Sequence, residues 1–214
     1  MSVMASRPVL RWAVPAGVLV VVLGIAVAAL VLFHGSGKSP VTPSVSVGPS
    51  GEPVVNGFAF DVRQVKAVPT GPSKGAQAKA VAAARGIEKT MNTLYYTAYL
   101  DRNSWQSGNY ANAWKLFAAD TVSKAKKDER TLTLGPDAGS KLSGVAIGPN
   151  AALVKVLLDA HGQPATAVVT VHFTAKKTGT DGSHSAVTSQ GDYFLMPISG
   201  GWRITGYDVK QGAA

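Results

Sequence analysis

Near residue 130 the spacing of apolar residues changes from three or four to two, and this change of period constrains the fold more than any motif does. Before it, Ala80, Ala84, Ile87, Met91, Leu94 and Ala98 draw one apolar stripe, which predicts an amphipathic helix from about Ala76 to Asp101. Asn103 and Gly108 interrupt the pattern. Tyr110, Ala113, Trp114 and Phe117 repeat it on a shorter second helix, and Asp120 or Thr121 can cap a third that runs to about Glu129. After it come five runs rich in Val, Ile, Thr and aromatic residues: Leu142 to Gly148, Ala151 to Ala160, Ala165 to Lys176, Ala186 to Met196 and Gly201 to Val209. Between them, His161-Gly162-Gln163-Pro164, Thr178 to Gly182 and Ser199-Gly200-Gly201 read as turns. In the third run Ala167, Val169, Val171 and Phe173 share one face, while Thr166, Thr170, His172 and Thr174 share the other. The expected class is α+β, with three helices on one face of a curved antiparallel sheet of about five strands.

The first third of the chain reads differently. Ala13 to Phe33 is a 21-residue stretch without a charge, long enough at about 31 Å to cross a bilayer core as a helix. Trp12 stands at its edge, where an indole prefers the interface. Arg7 and Arg11 precede the span, and Lys38 is the first basic residue after it. The positive-inside rule therefore predicts a single-pass protein of the cytoplasmic membrane, with residues 1–12 inside and the rest outside. Only Pro15, Gly17 and Gly24 interrupt the apolar stretch, and its length exceeds a signal-peptide core. Residues 34–53, mostly Gly, Ser, Pro and Val, are expected to be a tether, and residues 54–75 an irregular lead-in in which Phe58, Phe60 and Val62 alternate as a short strand. Residues 76–210 form the expected folded domain, and 211–214 a tail.

Composition narrows the chemistry. The chain has 21 Lys and Arg against 12 Asp and Glu and no Cys, which removes disulfides, thiol nucleophiles and cysteine metal clusters. Without Arg7 and Arg11 the outer part keeps an excess of basic residues. Lys124, Lys126, Lys127 and Arg130 cluster among Asp128 and Glu129 as a solvated helix face that can also attract anionic headgroups or wall polymers. No aromatic residues interleave with that cluster, so nucleic acid is not an expected partner.

The long helix AKAVAAARGIEKTMNTLYYTAYL, the segment YANAWKLF and the last strand GGWRITGYDV, in that order, resemble the nuclear-transport-factor-two-like superfamily of α+β cones from about Ala76 to Val209. With an N-terminal span and a tether, the plan is similar to actinobacterial membrane proteins of the mammalian-cell-entry-associated type, and to the small bitopic scaffold subunit of type IV secretion and conjugation machines. That resemblance implies an extracytoplasmic assembly component, usually without chemistry of its own. The same cone also hosts isomerases, dehydratases and hydrolases.

Enzymatic relatives need a carboxylate or an Asp/His pair inside the cone. Here His172 and Asp192 lie on neighbouring strands and could pair across the sheet. Asp159 and His161 flank a turn, a place both residues take for backbone hydrogen bonds. The four His show no metal-ligand spacing, so neither a metal nor a cofactor is expected. Tyr95, Tyr96, Tyr99, Trp105, Tyr110 and Trp114 form the densest aromatic group. They read either as helix-to-sheet packing or as the lining of a pocket or partner surface. The expected function is a non-catalytic, membrane-anchored scaffold of an envelope transport or secretion complex. Its partners would be the membrane and other envelope proteins, with self-association as a further possibility. The alternative is a small-molecule-binding or enzymatic cone using Tyr95, Tyr99, His172 and Asp192.

Overall fold

A computed structural model describes residues 55–71 and 74–213. The expected anchor (Trp12, Ala13 to Phe33), the topology residues Arg7 and Arg11 and the tether lie outside them. Among the described residues no helix is long and apolar enough to cross a membrane.

These residues form an α+β domain. Strand β1 (Val62–Pro69) is followed by helix α1 (Ala76–Tyr95), whose last turns widen into a π-helical segment, Tyr96–Leu100. Five short helices come next: α2 (Arg102–Ser107), α3 (Ala111–Trp114), α4 (Val122–Lys127), α5 (Glu129–Leu132) and α6 (Ala138–Lys141). Strands β2 (Leu142–Leu158), β3 (Pro164–Gly179), β4 (His184–Ile198) and β5 (Gly201–Ala213) complete a five-stranded sheet in the order β1-β2-β3-β4-β5.

Three expectations need correction. The sheet is mixed, because β1 runs parallel to β2 while the other neighbours are antiparallel. The whole helical region separates β1 from β2, and parallel neighbours need such a long crossover. The first two predicted runs are one strand, β2, with a register break between Ile147 and Asn150. Pro149 falls in this break, where its missing N–H costs no ladder bond. The three expected helices are one long helix and five short ones. Thr121 precedes α4, but its hydroxyl donates to the Thr205 carbonyl at 3.0 Å rather than capping the helix.

The apolar stripe on α1 is the buried face: Ala80, Ala84, Ile87, Met91, Leu94 and Ala98 are all within the core. It packs on the inner sheet face, which carries Val154, Val156, Ala167, Val169, Val171 and Phe173. Phe58 and Phe60 precede the strand they were expected to belong to, and both are buried against Phe173. The Phe60 amide donates to Asn92 Oδ1 on α1 at 3.1 Å, which fixes this lead-in under the helix.

Both sheet edges are occupied. On the β1 side, the Gln77 amide donates to the Val65 carbonyl at 2.8 Å, and its oxygen accepts from the Ala67 amide at 3.2 Å. On the β5 side, the Ala118 amide donates to Ile204 and the Ile204 amide to Leu116, so a short segment after α3 pairs with the edge. Trp202 lies on α1 at Gly86, where a Cβ would come within 2.8 Å of its ring.

Asn92 is 1% exposed and serves a backbone amide. Asn92→Ala would leave that amide unpaired, at a cost of about 1–3 kcal/mol. Urea denaturation is expected to show a loss in that range, well above that of the surface change Asn112→Ala.

Candidate functional site

The inner face of the sheet gathers hydroxyls as well as hydrocarbon. Tyr95 ends α1 and Tyr99 lies in the π-helical segment. The wide turn is closed by the Asp101 amide on the Tyr96 carbonyl at 2.7 Å, and the two rings, at i and i+4, stack at 5.4 Å with 18° between planes. Such wide turns often mark functional positions. Both rings lie about 5.0 Å from Phe173 on β3. Phe60 meets Tyr95 edge-on at 4.9 Å.

The phenols have defined partners. Tyr95 Oη is 2.9 Å from Ser189 Oγ and 3.4 Å from Tyr193 Oη, both on β4. Gln211 on β5 donates through Nε2 to Tyr99 Oη at 3.2 Å and to the Thr133 carbonyl at 2.7 Å. Tyr110 donates to the Gly135 carbonyl at 3.0 Å. Burial, with Tyr99 close by as a smaller cause, holds the Tyr95 phenol far above its usual range. Burial also raises Tyr99 and Tyr193, and Tyr110 is pushed up to about 12, chiefly by burial. All four therefore remain protonated at neutral pH and act as hydrogen-bonding groups rather than as bases.

Aromatic contacts continue from this centre through Tyr193, Tyr207, Phe117 and Trp114 to Tyr110. Tyr207 closes the outer end. Its hydroxyl donates to Asp128 Oδ2 at 2.7 Å, the Lys124 ammonium lies 4.1 Å from its ring, and Lys124 is also bonded to Asp128. These bonds clamp α4 onto β5.

The expected site residues separate into groups. Tyr95 and Tyr99 belong to the buried centre, whereas Trp105, Tyr110 and Trp114 are buried among the short helices and Tyr96 is half-buried. His172 is exposed on the opposite face of the sheet and stands across from Gln190. Asp192, on that same outer face, stands across from Thr170 and accepts its hydroxyl at 2.6 Å. The structure thus pairs neither His172 with Asp192 nor either of them with the tyrosines. Asp159 accepts the amides of His161 and Gln163 at 2.9 and 2.8 Å, so it supports the turn. Among the described residues, no three His, Asp or Glu come close enough to hold a metal ion.

Sequence reasoning missed Ser189, Tyr193 and Gln211. Alternation with Val187 and Leu195 places the first two inward. Gln211 was assigned to a tail, but β5 extends to Ala213. Glu129, expected on a solvated helix face, has Oε1 buried without a hydrogen-bond partner among the described residues, and burial raises its carboxyl pKa against a smaller opposing effect of Arg130.

No family model matches the chain, and no curated protein matches it. A solved structure from Novosphingobium aromaticivorans, described as a "putative aromatic ring hydroxylase", is similar to it at 12% identity with a TM-score of 0.40, covering 63% of this chain and 94% of that one. A likeness at this level carries no argument about activity.

Two outcomes are expected from the buried groups. Tyr95→Phe removes a hydroxyl bonded to the fully buried Ser189 and should lower stability by about 1–3 kcal/mol, with Tyr96→Phe close to neutral in the same denaturation assay. Glu129 binds its proton more tightly when folded, so its charge costs stability as pH rises through its raised pKa. Glu129→Gln should therefore raise the melting temperature at pH 7, and the gain should disappear below pH 4.

Proposed function

We propose that this chain is a non-catalytic, membrane-anchored interaction module whose cone-like outer domain serves as a scaffold or accessory of an envelope transport or secretion complex. One observation carries this reading. The inner sheet face, where a cone-type enzyme would keep its general base, is occupied by the stacked Tyr95 and Tyr99 on Phe173, with their hydroxyls bonded to Ser189, Tyr193 and Gln211. The two candidate acid-base residues on neighbouring strands, His172 and Asp192, face the other way. Function then falls to the outside of the domain, and the uncharged stretch from Ala13 to Phe33 supports a single-pass placement with the N-terminus in the cytoplasm. The partners in this reading are the membrane and other envelope proteins.

A small-molecule-binding role has one observation in its favour, a surface hollow of about 400 Å³ between α1 and the ends of β3 and β4, lined by Ala82, Ala83, Pro164, Pro197 and Trp202. It lies away from Tyr95 and Tyr99. A ligand seated there would touch the Trp202 indole.

In-cell crosslinking of the full-length protein, followed by purification and mass spectrometry, tests the scaffold reading. A reproducible set of envelope proteins is expected, unchanged by His172→Ala or Asp192→Asn. Recovery of the chain alone, together with saturable quenching of Trp202 fluorescence by a small ligand, would replace it with the second reading.

A further inference from the structure

Three cations from three separate elements converge on one side of the domain. Arg130 from α5, Lys141 from α6 and Lys177 from β3 line a hollow of about 110 Å³ that Leu134, Ala138 and Leu142 help to wall. A single carboxylate, Asp137, lies among them, with one oxygen 2.9 Å from Arg130 Nη2 and 3.6 Å from Lys141 Nζ. The lining therefore carries a net charge of about +2 by residue type.

The other acids nearby are engaged elsewhere. Asp128 is held by Lys124 and Tyr207. Glu129 senses Arg130 but has a carboxylate oxygen buried in the interior. Asp181, in the turn after β3, accepts both the amide and the hydroxyl of Ser183. Asp101 caps α2 through Asn103 and Ser104. None of these is bonded to Arg130, Lys141 or Lys177.

The walls are fixed by backbone contacts. The Thr180 amide donates to the Lys141 carbonyl at 3.0 Å and ties α6 to the strand that carries Lys177. On the far side of α6, a Cβ at Gly139 would fall 2.0 Å from the Gln106 carbonyl oxygen, so α6 sits directly on α2. The Arg130 and Lys141 side chains stay 70% and 69% exposed, so their charged heads are open to an incoming anion. The hollow is large enough to hold several waters, and so a tetrahedral oxyanion.

We propose that Arg130, Lys141 and Lys177 form a binding site for a phosphate oxyanion, with Asp137 holding the cations in position until the anion displaces it. Arg130 supplies a planar pair of donors that suits phosphate, and the two lysines supply point charges. A phospholipid headgroup and free phosphate share this chemistry. The site requires no protein partner and stands apart from the scaffold reading.

The test titrates full-length protein in a nonionic detergent with inorganic phosphate, and separately with glycerophosphoglycerol, the soluble headgroup of phosphatidylglycerol. Ionic strength is held constant with chloride, and the backbone amide NMR signals of Lys141 and Thr180, present in every variant, are followed. Saturable binding is expected, weakened about tenfold or more by Arg130→Gln or Lys177→Gln, the loss of one charge-assisted contact. Asp137→Asn, which removes the competing carboxylate, should tighten it about fivefold, the scale of one exposed ion pair. Binding of phosphate alone identifies a free-anion site, and binding of both identifies a headgroup site. Unsaturable shifts with either ligand, or equal affinity in wild type, Arg130→Gln and Asp137→Asn, would overturn the proposal.

Discussion

The stacked pair Tyr95 and Tyr99, resting on Phe173 and bonded to Ser189, Tyr193 and Gln211, is the junction on which the rest of the domain depends. It joins α1 and its π-helical extension to β3, β4 and β5 at once. A hydroxyl taken out of water without a partner costs free energy, and a fully bonded set specifies one arrangement of the elements around it. The π-helical turn belongs to the same solution. Tyr99 lies in that turn, four residues after Tyr95, with its ring stacked on that of Tyr95. Gly191 does the equivalent work on the sheet side, since a Cβ there would meet the Asp208 carbonyl at 2.1 Å and hold β4 away from β5.

Much of this was readable from residue spacing. The stripe from Ala80 to Ala98 and the two-sided pattern of β3 depend on periods of 3.6 and 2, and burial follows both. Pairing is a property of two segments, and spacing within one segment cannot report it. The parallel partner of β1 lies beyond the whole helical region, and the fusion of two runs into β2 passes through Pro149, which looks like a terminator when read alone. Short helices such as α5 and α6, of four residues each, have too few positions for a period to show.

The candidate site was legible in part. The aromatic group was visible as a density of residues, but its hydrogen-bonding partners were not, because Ser189 and Gln211 are unremarkable until the fold opposes them to Tyr95 and Tyr99. His172 and Asp192 illustrate the converse. Sequence placed them on neighbouring strands, and the actual register sets His172 against Gln190 and Asp192 against Thr170. The cation cluster escaped notice because Lys141 and Lys177 are far from Arg130 in the chain, and only the contact between α6 and the β3 end brings them together.

The central claim is that Tyr95, Tyr99 and Tyr193 are buried, hydrogen-bonded parts of the core. Spectrophotometric titration of the six tyrosines, with circular dichroism followed in parallel, tests it most directly. The account predicts that Tyr95, Tyr99 and Tyr193 ionise only as the domain unfolds in alkali, as a late step that coincides with loss of native dichroism. Reversible ionisation of all six near pH 10 in a domain that keeps its native spectrum would contradict it.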